Sequence, residues 1–233
     1  MDNLLEAAEM LQGLGAVSPE LRNKVKSALA KSAMDRELAF LLANAEKLPV
    51  DTQNALRKGG LQRVDFEMYF RKEVTAVGGT MRMFEENDDR EVGIRSISGG
   101  KLPTKTNVVL AKIGIAYGTS SDGSISDPEN IEYGHIFDAD AVPKAIQNGE
   151  VRVFTGTKKV YEGRLRKFFG IGADSFVTGV DSDSNMVRLN ELKLLLEDDR
   201  IKIELELPNV ALPGTPNHFV EVVLRGSAIG AAS

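Results

Sequence analysis

The two histidines of the chain, His135 and His218, are the residues whose type most readily suggests catalysis or metal binding. They lie far apart in the sequence, and the chain has no cysteine that could complete a thiolate metal site. A catalytic triad or a zinc cluster needs supporting groups within reach of each histidine. Because the spacing supplies none, we expect both histidines to be structural or surface residues.

The segment Asp181–Asn185 alternates oxygen-bearing side chains, as the start of a calcium-binding loop does. The EF-hand pattern then requires glycine at its sixth position and glutamate at its twelfth. Met186 and Leu192 occupy those positions, so we expect a polar turn rather than a metal site. The Gly-Ile-Gly run at 170–172 lacks both the third glycine and the βαβ setting of a dinucleotide site.

Paired carboxylates could hydrolyse glycosidic bonds, but the sequence singles out no such pair. Glu204 and Glu206 alternate with apolar residues and fit the wet face of a strand. Aromatic residues make up only 6% of the chain, with no tryptophan, which leaves little surface for stacking sugars. We therefore expect no catalytic, cofactor-binding or metal-ligating residue, no enzyme activity and no small-molecule substrate. A hydrolase with an unrecognised carboxylate site is retained as an alternative.

The densest cationic stretch of the sequence runs from Lys158 to Lys167. One acidic residue, Glu162, lies among its five basic residues, which are Lys158, Lys159, Arg164, Arg166 and Lys167. The stretch could contact phosphates or an acidic neighbouring subunit, and a solvated hairpin of mixed charge is an equal alternative. No aromatic RNA-binding motif accompanies it.

The composition of the 233-residue chain is that of a globular protein, with 42% hydrophobic and 27% charged residues and a net charge of −5. Residues 1–60 hold eight basic and eight acidic residues, so the negative excess lies in residues 61–233. This balance argues against a dedicated duplex nucleic-acid binder. We expect a protein that stays in water, because the N-terminus lacks the features of a secretory signal and no apolar run approaches the ~20 residues that span a bilayer.

The spacing of apolar residues changes at Gly59–Gly60. Before this point it is helical, with apolar residues at Leu4, Leu5, Ala8 and Leu11 and again at Leu38, Leu41, Leu42 and Ala45. After it the period is two, most clearly over residues 201–207. We predict a helical N-terminal arm over residues 1–60 and a β-sandwich domain over residues 61–233. The arm could form a small bundle, lie across the sandwich or lie across an adjacent subunit, and the last is our hypothesis.

The alternation predicts antiparallel strands joined by turns, as in a sandwich or barrel. The predicted strands lie near residues 64–70, 80–84, 91–97, 108–117, 151–155, 158–162, 187–195, 201–207 and 219–224. One helix, at 140–148, interrupts them, with Asp140 as its cap and Pro143 in its first turn. The stretch 108–117 is apolar on both faces, which is typical of a strand covered from two sides. The tail, residues 226–233, consists mainly of small residues. Neighbouring subunits or docking on its own domain could order it, and we favour neighbouring subunits.

The β portion resembles the jelly-roll structural proteins of icosahedral phage virions, particularly those of tailless phages. The resemblance rests on three stretches of strands and turns, which are Ile97–Pro103 leading into Val108–Tyr117, Ala145–Val153 followed by Lys158–Glu162, and Leu194–Pro208 followed by Val220–Gly226. Together they cover roughly half of residues 61–233. Because the chain is too short for two jelly rolls, the resemblance implies a single one.

What the resemblance implies about function is a virion structural protein that self-assembles into an icosahedral phage capsid or is built into one. Its partners would then be copies of itself and other virion proteins, and it would be made in the host cytoplasm and located in the virion. Non-specific contact with a packaged genome or an internal membrane is a further expectation. The alternative outside this class is a non-catalytic β-sandwich module that binds carbohydrate or protein.

Overall fold

A computed structural model gives the fold of the chain. The structure describes residues 36–58, 61–75, 77–121, 130–131, 133, 142–169, 186–214 and 216–231. Five sequence predictions lie outside these residues. They are the helix that begins near Leu4, the role of His135, the Asp140 cap, and the loops at 170–172 and 181–185.

The described residues form three α-helices and eight strands. The helices are α1 (Arg36–Ala43), α2 (Val50–Lys58) and α3 (Lys144–Gln147), with 3-10 turns at Ala45–Lys47 and Leu165–Phe168. The strands are β1 (Leu61–Glu73), β2 (Gly79–Arg82), β3 (Asn107–Ser120), β4 (Glu150–Thr155), β5 (Lys158–Arg164), β6 (Met186–Leu195), β7 (Ile201–Leu207) and β8 (Asn217–Ala231). The protein is therefore mainly β, as the sequence predicts.

The eight strands form two four-stranded antiparallel sheets. A long sheet has the order β1-β8-β3-β6, and a short sheet has the order β2-β7-β4-β5. The pairings nest within one another along the chain, because β1 pairs with β8, β2 with β7, β3 with β6 and β4 with β5. Successive strand pairs therefore belong alternately to the long sheet and to the short sheet. This is the arrangement that results when one long antiparallel ribbon of paired strands is rolled up.

The inward faces of both sheets share one hydrophobic core. Met68 of β1, Ile115 of β3 and Val222 of β8 meet Val153 of β4 and Leu205 of β7 in this core. Along β7 the four apolar residues are all buried, at 0–2% exposure, and the sequence assigned them to the inside. The alternating pattern of residues 201–207 thus identified the inward face correctly.

The outward face of the long sheet is covered by the two N-terminal helices. Leu41, Leu42 and Leu56 of the helices form a second hydrophobic cluster with Val109 of β3 and Ile229 of β8. This cover explains why β3 is apolar on both faces: one face packs on the short sheet and the other on the helices.

A β-bulge changes which residues of β3 face the sandwich. Leu110 pairs with Gly226, but the next paired residue is Lys112, opposite Arg225, so Ala111 is the extra residue. Before the bulge the even-numbered residues point into the sandwich, and after it the odd-numbered residues do.

The strand predicted at 91–97 is wrong. Glu91 and Arg95 form only an isolated bridge around a tight turn, and Gly93 in that turn has φ of 89°. In a strand Val92 and Ile94 would point to the same face. In the structure Ile94 is buried whereas Val92 is 79% exposed, so the alternation misled the prediction. The hydrogen bond from the amide of Arg71 to the carbonyl of Ile94 then fixes the turn against the edge of β1.

The helix predicted at 140–148 is shorter than expected. It starts at Lys144, and Pro143 is its N-cap, with an extended ψ of 139°, rather than a residue of the first turn. The helix ends at Asn148, as the Asn-Gly pair predicts.

Residues 226–231 of the small-residue tail are ordered by pairing within their own chain. Residues 226–231 extend β8, and they pair with residues 61–66 of β1. Glycine is suited to position 226 because β8 lies between β1 and β3 and a Cβ atom there would lie 1.9 Å from the carbonyl oxygen of Val109.

Residues 36–58 also differ from the expected arm, because they already bury their apolar face on the sheet of their own chain. Asn107 reinforces this attachment. Its fully buried amide lies between Thr52 of α2 and the backbone amide of Glu197, which donates to it at 3.0 Å. The division into domains at residue 60 stays a prediction.

The inward position of Leu205 predicts a clear contrast with its neighbour Glu206. Leu205→Ala should lower the free energy of unfolding by about 2–5 kcal/mol, as other large-to-small core substitutions do. Glu206→Ala, on a side chain that is 48% exposed, should change it by less than about 1 kcal/mol. Denaturant titrations of the two variants measure both effects. Equal losses would contradict the assigned face.

Gly226 should tolerate no side chain, because a Cβ atom there would lie 1.9 Å from the carbonyl oxygen of Val109. We expect Gly226→Ala to push the two central strands apart and to lower the melting temperature by several degrees. Gly79→Ala is the matched control, since a Cβ at that strand position meets nothing within 4 Å. Thermal unfolding followed by circular dichroism would compare them, and equal melting temperatures would show that β3 and β8 do not approach this closely.

Candidate functional site

A groove of about 700 Å³ runs along the side of the sandwich where β5 and β6 are the edge strands. One wall is the helical stretch from Arg36 to Lys47, and the other is the β4–β5 turn from Thr155 to Val160. Residues 190–194 of β6 lie between them. The groove exists because α1 packs across β3 and β6 and stops beside the edge of the sheet.

The groove combines apolar and cationic residues. Its apolar residues are Phe40, Val160, Leu192 and Leu194, and its cationic residues are Arg36, Lys47, Lys158, Lys159 and Lys193. Glu191 is the single acidic residue among its described lining residues. The arrangement is a partly apolar channel with a strongly positive border.

Two of the five cations have acidic partners. Lys159 lies 2.5 Å from Glu162, and its hydrogen bond lowers the pKa of the Glu162 carboxyl. Lys193 lies 2.8 Å from Glu191 and likewise lowers the pKa of that carboxyl. Both carboxylates are solvated, so these surface pairs are weak.

The other three cations have no carboxylate partner within the part of the chain that the structure describes. Arg36 donates to the backbone carbonyl of Asn190, and Lys47 donates to the side chain of Asn44 at 2.7 Å. Lys158 is exposed at the β4–β5 turn. Their positive charge is therefore available to an anionic ligand.

The structure divides the basic stretch that the sequence singled out. Lys158 and Lys159 line the groove, whereas Arg164 ends β5 and Arg166 and Lys167 lie in the 3-10 turn beyond it. The three remaining cations of the groove were missed by the sequence analysis. A signal for two of them exists, since Arg36, Phe40, Asn44 and Lys47 recur at helical spacing.

The residues of the groove have the chemistry of a binding surface. Lysine and arginine supply positive charge and hydrogen-bond donors for carboxylates or phosphates, and the apolar residues gain from burial against a nonpolar partner. The described lining contains no histidine or cysteine.

His218, which the sequence left as a structural or surface residue, is buried at 5% exposure. The carbonyl of Pro213 lies 3.0 Å from Nε2 and can only accept, so Nε2 carries the proton. Nδ1 then accepts from the hydroxyl of Tyr117 at 2.7 Å. Burial raises the pKa of Tyr117 to about 12, which keeps this donor protonated. Both ring nitrogens are thus occupied by the protein itself.

A cluster around Arg71 lies on the outward face of the long sheet. The guanidinium pairs with Glu221, donates to the carbonyl of Gly93 at 2.7 Å and lies 4.9 Å from the centre of the Tyr133 ring. Burial raises the pKa of the Tyr133 hydroxyl. These contacts attach the 91–95 turn to β1, so we assign the cluster a structural role.

The carboxylates of the short sheet face solvent and are paired with cations. Glu204 lies 2.9 Å from Lys202, and Glu206 lies 2.5 Å from Arg152, which also contacts Glu162. A second cavity, of about 370 Å³ on the long sheet, is lined by both signs of charge, including the pair of Glu67 and Arg225. Neither arrangement concentrates a single charge as the groove does.

Among the described residues, no helix is long and apolar enough to cross a membrane. The same residues contain no group of three or more His, Cys, Asp or Glu side chains placed to hold a metal ion.

Comparison with known proteins finds weak likeness to solved structures. No protein-family profile matches the chain, and no curated protein matches it. Similar solved structures include the acidic stable capsid structure of Helicobacter pylori bacteriophage KHP30, with 10% identity and a TM-score of 0.26. The match covers 72% of this chain and 97% of that chain.

Metal independence is expected, because the sequence has no thiolates and the 181–185 stretch lacks the glycine and glutamate of a calcium loop. A chelator should leave the melting temperature of the purified protein unchanged. Calorimetry with and without added calcium measures this. A rise of several degrees with calcium that is lost in Asp183→Ala would contradict the prediction and place a site in that loop.

Proposed function

We propose that this chain is a non-enzymatic structural protein of a virion, built on a single jelly roll. It self-assembles into an icosahedral phage capsid or is built into one beside other virion proteins. It is made in the host cytoplasm, and its place is the virion.

The observation that carries the proposal is the order of the strands. A jelly roll is a double-sheet fold of eight strands made from two Greek keys, and viral capsid proteins are among the proteins that use it. Sheets of order β1-β8-β3-β6 and β2-β7-β4-β5, with nested pairing, are what rolling an eight-stranded antiparallel ribbon produces. This order of the eight described strands supports the proposal of a single jelly roll.

Other jelly-roll classes are less well supported by the residues. Lectin domains also use the fold, but aromatic residues are scarce in this chain. Cupins use it too. A histidine-based metal site would need a free ring nitrogen, but both ring nitrogens of His218 are hydrogen-bonded within the protein. The described carboxylates of the short sheet are engaged by Lys202 and Arg152 rather than held apart in a cleft, which supports a non-enzymatic role.

A second candidate function is a binding module that docks a protein segment. The observation that favours it is the groove with apolar residues and a cationic border beside β5 and β6. This candidate needs no self-assembly, and for that reason one experiment separates the two.

The purified full-length chain should assemble. We expect negative-stain electron microscopy to show particles of uniform size and light scattering to report a mass many times that of the 25.3 kDa subunit. Assembly should depend on protein concentration, because repeated subunit contacts follow mass action. A monomer at every concentration and ionic strength would contradict the self-assembly proposal and favour the binding module.

A further inference from the structure

The groove beside β5 and β6 has a chemistry that defines its partner. Three of its apolar residues, Phe40, Val160 and Leu194, are half-buried, and the neighbouring Lys158 and Arg36 are exposed. A nucleic-acid backbone would satisfy the cations but would gain little from the apolar residues. A peptide segment with one apolar face and one acidic face would satisfy both.

The first twelve residues of the chain have this chemistry. They include three acidic residues, Asp2, Glu6 and Glu9, and no lysine or arginine. Leu4, Leu5, Ala8 and Leu11 recur at helical spacing, and on a helix the acidic residues fall together on an adjoining face. This segment lies outside the described residues, and the helix is a prediction from its sequence.

We propose that residues 2–12 bind in the groove of their own chain as an amphipathic helix, with the leucines on the apolar residues and the acids toward the lysines. The sizes agree. An eleven-residue helix is about 16 Å long, and the five residues 190–194 of β6 span about 16 Å.

The connection of the chain supports the same occupant. Residues 1–35 join the described structure at Arg36, which itself borders the groove. The 23 residues from 13 to 35 could extend for up to ~80 Å, so residues 2–12 can reach any part of the groove. A tethered segment has an effective concentration near the millimolar range, which gives it an advantage over a second copy in dilute solution. The inference does not depend on the proposed virion role.

The absence of cysteine makes the proposal directly testable by cross-linking. In the full-length chain, Ala8→Cys combined with Asn190→Cys places one thiol on the segment and one at the groove. A short thiol-specific cross-linker should join them within one chain, giving a monomer of altered mobility on a denaturing gel. Ala8→Cys with Thr80→Cys is the matched control, because Thr80 is exposed on β2 at the opposite edge of the sandwich.

Charge reversal tests the chemistry of recognition. Lys158→Glu with Lys159→Glu should lower the initial rate of cross-linking about fivefold, as the loss of two ion pairs implies. Reversing Glu6 and Glu9 to lysine in the same chain should restore the rate. Arg166→Glu with Lys167→Glu is the control for net charge, since both residues are exposed outside the groove, and it should leave the rate unchanged.

Three results would overturn the proposal. Equal cross-linking at Asn190 and Thr80 would mean that the groove does not bind the segment. A cross-linked dimer in place of the altered monomer would make a second copy the source of the helix. Retention of a single-stranded oligonucleotide that is lost on reversing Lys158 and Lys159 but kept on reversing Arg166 and Lys167 would make the groove a nucleic-acid site. Circular dichroism would establish that each variant is folded.

Discussion

Burial of β3 on both of its faces is the constraint on which the arrangement of the other elements depends. Val108 and Ile113 face the short sheet, whereas Val109 and Ala111 face the helices. A strand with apolar residues on both sides is stable in water only when both sides are covered, because each exposed apolar side chain would forgo its gain from burial. The short sheet supplies one cover and α1 with α2 supplies the other, so the protein has three layers.

The three layers explain where the groove lies. The long sheet ends at β6, with α1 on one side of this edge and the β4–β5 turn on the other. A channel therefore remains between α1, the β4–β5 turn and β6, and residues from three distant parts of the sequence meet there. The outward face of the short sheet needs no cover, since Arg152, Lys202 and their carboxylate partners are stable in water.

Much of the fold was predictable because strand alternation is a local property. The inward face of β7 was assigned correctly from the sequence, and the two-sided burial of β3 was recognised. The turn at 91–95 was mistaken for a strand because the apolar Val92 and Ile94 alternate with Glu91, Gly93 and Arg95 in the sequence. In the structure only Ile94 of the two apolar residues is buried. The sequence did not reveal that residues 226–231 continue a strand, because small residues have little strand propensity. Pairing with β1 and β3 orders them.

The sequence by itself determined the β-rich class, the change from helical to strand spacing at Gly59–Gly60, the faces of the regular strands, and the presence of a cationic stretch at Lys158–Lys167. Only the tertiary structure decided which strands are neighbours, where the β-bulge shifts β3, and which cations act together. Periodicity describes which way a side chain points within its own strand, but not which strand lies next to it. Pairing between residues far apart in the chain arises only in the folded protein, through strand pairing for Glu67 with Arg225 and through packing of α1 on the sheet for Arg36 with Asn190.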